Sequence, residues 1–285
     1  MNIRRRILVL ATLCWAWLPA HAAEPPDIIA SNAFYYYDDV EAAWAFYRDT
    51  LGFETAADYG FAKIMRLADS SFVTLVRASE GMHSTDEPKT VLLTLQTANL
   101  PAWLDRLEQA GGPLMDDPGD HRSALFEDTG GYLLRLEETA TLSTGSRRLS
   151  PHVQATIYTL YVPAIADVRD FYEGLFARRP VHSAATELRY AVSSTGYFAL
   201  QEGSDGRLRP TPESAVTFSF LTNDVDGWYQ RAKDWPGFEL RTPEVLNEGG
   251  LVRVFVGYDP VGTFLEWDTF LPVEDNASLL KGLPR

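Results

Sequence analysis

Asp39-Val40-Glu41-Ala42-Ala43-Trp44-Ala45-Phe46-Tyr47-Arg48-Asp49-Thr50-Leu51-Gly52-Phe53 is the stretch on which the fold turns. Val40, Ala43, Trp44, Tyr47 and Leu51 fall at i, i+3, i+4, i+7 and i+11, one face of a helix. Asp38 or Asp39 can cap its start, and Gly52 stands where a left-handed residue ends a helix. Ala33-Phe34-Tyr35-Tyr36-Tyr37 ahead of it reads as a strand. The unit is strand, turn, helix, glycine stop.

The unit returns downstream. A strand-like run over 157–162 leads into Ile165-Ala166-Asp167-Val168-Arg169-Asp170-Phe171-Tyr172-Glu173-Gly174-Leu175-Phe176. Phe46-Tyr47 and Phe171-Tyr172 lie 125 residues apart, as do Asn99, Leu100 and Trp103 from Asp224, Val225 and Trp228. Asp128-Thr129-Gly130-Gly131 matches Asp259-Pro260-Val261-Gly262 at an offset of 131, so six extra residues belong in a longer loop over 243–250. A long repeat in one order is the mark of a duplicated module.

These residues carry a resemblance. A strand, then Asp-x-Glu-x-x-x-x-Phe-Tyr-x-x-x-Leu-Gly-Phe at 39–53, then a hairpin Asp-Pro-x-Gly-x-x-x-Glu at 259–266, resembles the vicinal oxygen chelate superfamily. That group includes glyoxalase I, bleomycin-resistance proteins, extradiol dioxygenases and methylmalonyl-CoA epimerase. The resemblance implies an α+β fold: two tandem βαβββ-repeat modules with curved mixed sheets that half-enclose cavities. The same scaffold hosts many chemistries, so it does not fix the activity.

The expected organisation is a signal peptide over 1–22, module one over 28–138, a linker over 139–152, module two over 153–270 and a tail over 271–285 that lacks a strong pattern. Arg4-Arg5-Arg6 precedes an apolar run of 12 residues over 7–18. That run is short for a membrane span of about 20 residues, and Ala20-His21-Ala22 offers a small-x-small cleavage site. The reading is a periplasmic or secreted protein cut after Ala22 or Ala23, with no membrane contact afterwards. Cys14, the one cysteine, leaves with that segment. Loss of the three arginines takes the net charge from −14 to −17, which argues against nucleic acid as a partner. Oligomeric state is open.

In metal-dependent members of the superfamily, His, Glu or Gln side chains come from four strands of the module. The resemblance puts those slots at Asn32, Thr74, Leu92 and Arg135 in module one, and at Ile157, Ala199, Thr217 and Glu266 in module two. Only Glu266 suits a divalent cation, which needs about three protein ligands at a catalytic site. The expectation is therefore no metal and no cofactor. The histidines read as solvated or capping groups, leaving open whether His152 or His182 meets Glu266. Glu266 itself has two readings: a cavity carboxylate, acting as general base or gripping a cationic ligand, or a structural partner of Arg253. Arg135 can bind an anion or pair with Glu137. Asn32, Phe34, Tyr36, Arg135, Tyr161 and Glu266 are the candidate ligand-binding residues, with Glu266 the candidate catalytic one. Three functions follow: a metal-free binder of a small organic ligand, a metal-dependent lyase, isomerase or dioxygenase, or an interaction protein whose cavities are filled.

Overall fold

The computed structural model describes residues 24–111, 114–115, 122–139, 152–205 and 207–284; the expected signal segment and nearly all of the linker lie outside them. Seventeen strands and five α-helices make up the described chain. The first half holds β1 (Ile28–Tyr37), α1 (Val40–Ala45), β2 (Glu54–Asp58), β3 (Ala62–Ala68), β4 (Ser71–Arg77), β5 (Val91–Thr97), α2 (Leu100–Gln109), β6 (Leu114–Met115), β7 (Ser123–Glu127) and β8 (Leu133–Glu138). The second half holds β9 (Ala155–Val162), α3 (Arg169–Phe176), β10 (His182–Ser183), β11 (Glu187–Ala191), β12 (Gly196–Glu202), β13 (Val216–Thr222), α4 (Val225–Ala232), β14 (Glu239–Leu240), β15 (Leu246–Glu248), β16 (Val252–Tyr258), β17 (Phe264–Phe270) and α5 (Ala277–Gly282).

The opening stretch folds as its pattern demands, with one change. The Asp39 carboxylate caps α1 by accepting from the Ala42 N–H at 3.0 Å. The helix then widens into a π-turn over Phe46–Thr50, where the sequence suggests unbroken α-helix to Leu51. Gly52 stops it at φ 79°. A side chain there would strike the Arg106 guanidinium, 2.5 Å from where its Cβ would sit. Trp103 and Trp228 occupy equivalent buried places on α2 and α4. Trp44, which its position on the helix face suggests is core, is only half-buried; Arg48 and Lys63 cover its ring.

The fold is two mixed sheets. One runs β14-β16-β17-β13-β1-β4-β3-β2, with β15 added to β16; the other runs β10-β11-β12-β9-β5-β8-β7-β6. Shifted by the repeat offset, the second order is the first read backwards. The second sheet takes four strands from each module and the first takes four from module one and five from module two, each joined at an antiparallel centre: β1 with β13 and β5 with β9. One apolar core fills the space between the sheets, including Tyr35, Leu93, Tyr158 and Phe218. Where the pseudo-twofold axis passes, the Ser70 N–H donates to Thr195 Oγ1 and the Thr195 N–H to Ser70 Oγ, both at 2.9 Å. Ser70 and Thr195 are themselves 125 residues apart.

The repeated Phe-Tyr and Asp-x-x-Gly segments are held together by the same bond twice. Tyr47 donates to the buried Asp128 carboxyl at 3.0 Å and Tyr172 to Asp259 at 2.7 Å. Each aspartate also accepts backbone N–H groups of its own hairpin. Burial still raises both carboxyls above their usual range.

Candidate functional site

Alternation along β1 sends Ala33, Tyr35 and Tyr37 into the core between the sheets, and Asn32, Phe34 and Tyr36 to the other face. That other face, curved, encloses a cavity of about 510 Å³. Phe34, Tyr36, Ile64, Val254, Val256 and Phe264 make up much of its wall, and Thr74, Glu266 and Asp268 also line it.

The exchange of halves regroups the eight family positions. Asn32, Thr74, Thr217 and Glu266 now lie on four neighbouring strands of one sheet, in the order β4, β1, β13, β17. Register places Phe34 beside both Thr74 and Thr217, Asn32 beside Ser219, and Ser219 beside Glu266. Leu92, Arg135, Ile157 and Ala199 fall on the other sheet.

The polar floor is largely self-satisfied. Asn32 and Thr74 bond to each other, Nδ2 to Oγ1 at 2.9 Å and Oγ1 to Oδ1 at 3.1 Å. The Tyr36 and Thr217 hydroxyls share a 2.7 Å bond. The Ser219 hydroxyl donates to Asp268. Asp268, two residues beyond Glu266 and so on the same face of β17, is buried, and its carboxyl acts on that of Glu266. Burial pushes the Glu266 carboxyl well up, and the negative charges of Asp268 and Glu248 push it further. Burial also raises Asp268, against the opposing effects of Ser219 and Glu266. Both being raised, the two carboxyls resist ionising together.

Arg253 does not compete for Glu266. It pairs with Thr269 across the strands, while Val256 pairs with Glu266. Its guanidinium is forked onto Asp226 of α4, one arm at 2.8 Å. His152 lies beside β5, its carbonyl accepting from Thr97 at 2.8 Å. His182 is on β10, 3.8 Å from Glu187. Both belong to the sheet opposite Glu266. His83, which reads as a loop histidine in the sequence, packs edge-on against Tyr36 and Phe264, with Nδ1 2.7 Å from Glu87. His121 lies outside the described residues.

Arg135 and Tyr161 are separated from the other candidates. They lie on the second sheet, where Leu92, Leu125, Leu133, Tyr161 and Leu208 form an apolar cluster. Tyr161 donates to Asp205 at 2.5 Å. It is the repeat counterpart of Tyr36, and its partner comes from the connection that carries Leu208. This apolar cluster lies on the face of the second sheet that corresponds by the repeat to the cavity face of the first.

A divalent metal of the superfamily's kind does not fit the donors. The four positions offer an amide, two hydroxyls and one carboxyl, and the amide and hydroxyls are already bonded elsewhere. No group of three or more His, Cys, Asp or Glu side chains converges among the described residues. The six-residue insertion supplies wall residues that the sequence did not mark. The extra residues form β15, a hairpin on β16, and Leu246, Glu248 and Gly249 line the cavity.

Two mixed sheets built from exchanged βαβββ halves, with a cavity on the concave face, are the fold that the vicinal oxygen chelate resemblance implies. Residues 27–136 match the family model of the Glyoxalase/Bleomycin resistance protein/Dioxygenase superfamily, and both modules have the fold of that group. Glyoxalase I from Zea mays superposes with a TM-score of 0.60 at 16% identity, over 90% of this chain and 94% of that one. A putative dioxygenase from Bacillus subtilis subsp. subtilis str. 168 gives 0.61 at 16% identity, over 92% and 91%. At these identities the likeness is one of fold. No curated protein matches the chain in sequence.

Proposed function

We propose that this is an exported binding protein that holds a small organic ligand in the cavity of its first sheet, without the superfamily's metal. The observation that carries the reading is the Glu266–Asp268 carboxyl pair on the floor of a cavity of drug-sized volume whose walls are mainly apolar. An apolar wall drives a ligand's carbon skeleton out of water, and a few buried polar groups fix its orientation. Export is supported by the Arg4-Arg5-Arg6 start, the short apolar run and the Ala20-His21-Ala22 site. No described helix is long and apolar enough to cross a membrane. A second reading has its own support: a carboxyl held above its usual range is suited to proton transfer. If the ligand is turned over, Glu266 is the base, and Glu266→Gln removes turnover while leaving the fold.

Native mass spectrometry with elemental analysis of the protein from a periplasmic fraction tests the proposal. The expected result is a chain beginning at Ala23 or Glu24, free of stoichiometric divalent metal. Stoichiometric zinc, nickel, iron or manganese that disappears in Glu266→Gln would overturn it.

A further inference from the structure

The cavity's capacity for a polar guest is weighted toward acceptors. On the floor, the hydroxyls of Tyr36 and Thr217 are bonded to each other, that of Ser219 to Asp268, and that of Thr74 to Asn32. Only the Tyr36–Thr217 pair keeps a hydroxyl hydrogen, since one bond between two hydroxyls uses one of their two. What the floor chiefly retains is acceptor capacity on the oxygens of Glu266 and Asp268, against that single donor. The other charges that line the cavity are exposed at its rim: Glu80, Glu248 and Arg241. Glu80 is paired with Arg77, and Arg241 lies over the Phe264 ring, 5.4 Å from its centroid. Acids therefore outnumber the lining base by four to one.

Around that floor the wall is carbon. Phe34, Ile64, Val254 and Phe264 enclose the space above the carboxyls. A guest that satisfies both parts carries hydrogen-bond donors and positive charge at one end and an apolar body at the other. A carboxyl pair of which only one ionises has a net charge of −1, so a monocation neutralises it; a dication or a metal ion would need further donors.

Resting on the binding function proposed above, we propose that the ligand is a hydrophobic primary amine, bound as its ammonium ion on Glu266 and Asp268 with its apolar body between Phe34, Ile64 and Phe264. The ammonium's three hydrogens meet carboxyl oxygens in a site shielded from water, where charge-assisted bonds are strongest. The chain then places its ligand's own charge where metal-dependent relatives place a cation.

Isothermal titration calorimetry at neutral pH with three probes of one shape tests this: 4-phenylbutylamine, 4-phenylbutanol and 4-phenylbutanoate. They share a phenyl-capped chain and differ in head-group charge. The amine is expected to bind about tenfold or more tightly than the alcohol, the size of one charge-assisted bond, and the carboxylate not to bind. In Glu266→Gln and Asp268→Asn the amine's advantage over the alcohol is expected to fall to about threefold or less. If the alcohol or the carboxylate binds as well as the amine, the ligand class is wrong and the binding function stands. If none of the three binds, both are overturned. If the amine's advantage survives both substitutions, its head group does not sit on this pair and the proposal fails. Should either variant not fold, as read by circular dichroism, the three probes on the unaltered protein decide alone.

Discussion

The Glu266–Asp268 pair makes this chain's response to pH run opposite to that of a surface ion pair. Most carboxylates that matter to stability are held low in the folded state, as Asp226 is by Arg253. They stabilise above the unfolded value and fail as pH falls. Glu266 and Asp268 are held high, first by burial and then, for Glu266, by its acidic neighbours. The folded state therefore keeps protons that the unfolded chain gives up near the ordinary carboxylate value of about 4. Their contribution is complete below that value and is lost as pH rises through their raised folded values. Glu266→Gln keeps the shape and removes the titration. The expected outcome is a variant that melts higher than the parent at alkaline pH, with the gap closing as pH falls toward 4. Parallel melting curves across the pH series would show that the pair does not resist ionising. Glu266 was legible in the sequence because a hairpin signature located it. Asp268 was open to the same reading, since i and i+2 share a face of a strand. It stayed hidden because it lies outside the four family positions.

The repeat also shows how helix ends are satisfied. The last carbonyls of a helix have no partner within it. Arg106, on α2, reaches the π-turn that follows α1 and donates to the Thr50 carbonyl, with Asp49 O at 3.4 Å. Arg231, on α4, does the same for α3, donating to the Leu175 and Gly174 carbonyls at 2.6 and 2.7 Å. The two arginines are 125 residues apart. Each clamps the first helix of its module to the second, and at Gly52 the guanidinium takes the room a side chain would need. Arg231→Ala is expected to cost about 1.5–3 kcal/mol, the range for bonds from a charged donor, read as a lower urea midpoint with an unchanged slope. A change below about 0.5 kcal/mol would mean that water replaces the clamp. The α-helical spans were legible because apolar periodicity is local. The π-turn, β15 and α5 were not. Each depends on a partner distant in sequence: Asp128 for Tyr47, β16 for β15, and the cluster around Ile64 and Phe72 for Leu279 of α5.

Which halves would pair could not be read from the repeat. An offset of 125 states that β1 is like β9 and β5 like β13, but equal units leave every pairing between them equally plausible. The structure pairs across modules, β1 with β13 and β5 with β9, and this alone brings Asn32, Thr74, Thr217 and Glu266 together. It also makes each module incomplete. Residues 28–138 without the rest would expose the central edges of β1 and β5, with unpaired N–H and C=O groups along buried strands. A second copy of the same segment can supply both, because β5 is the counterpart of β13 and β1 of β9. Asn32, which now faces Ser219, would face Thr94 of the other copy. Expressed alone, 28–138 is therefore expected to be a dimer in analytical ultracentrifugation, with a melting temperature that rises with concentration. The dimer would contain two copies of a cavity lacking Glu266 and Asp268, and so is expected to show no preference for the amine probe. A monomer with a concentration-independent, cooperative melt would show that β1 and β5 can pair within one module. The exchange of halves would then be a choice made by the full chain, not a requirement of its edges.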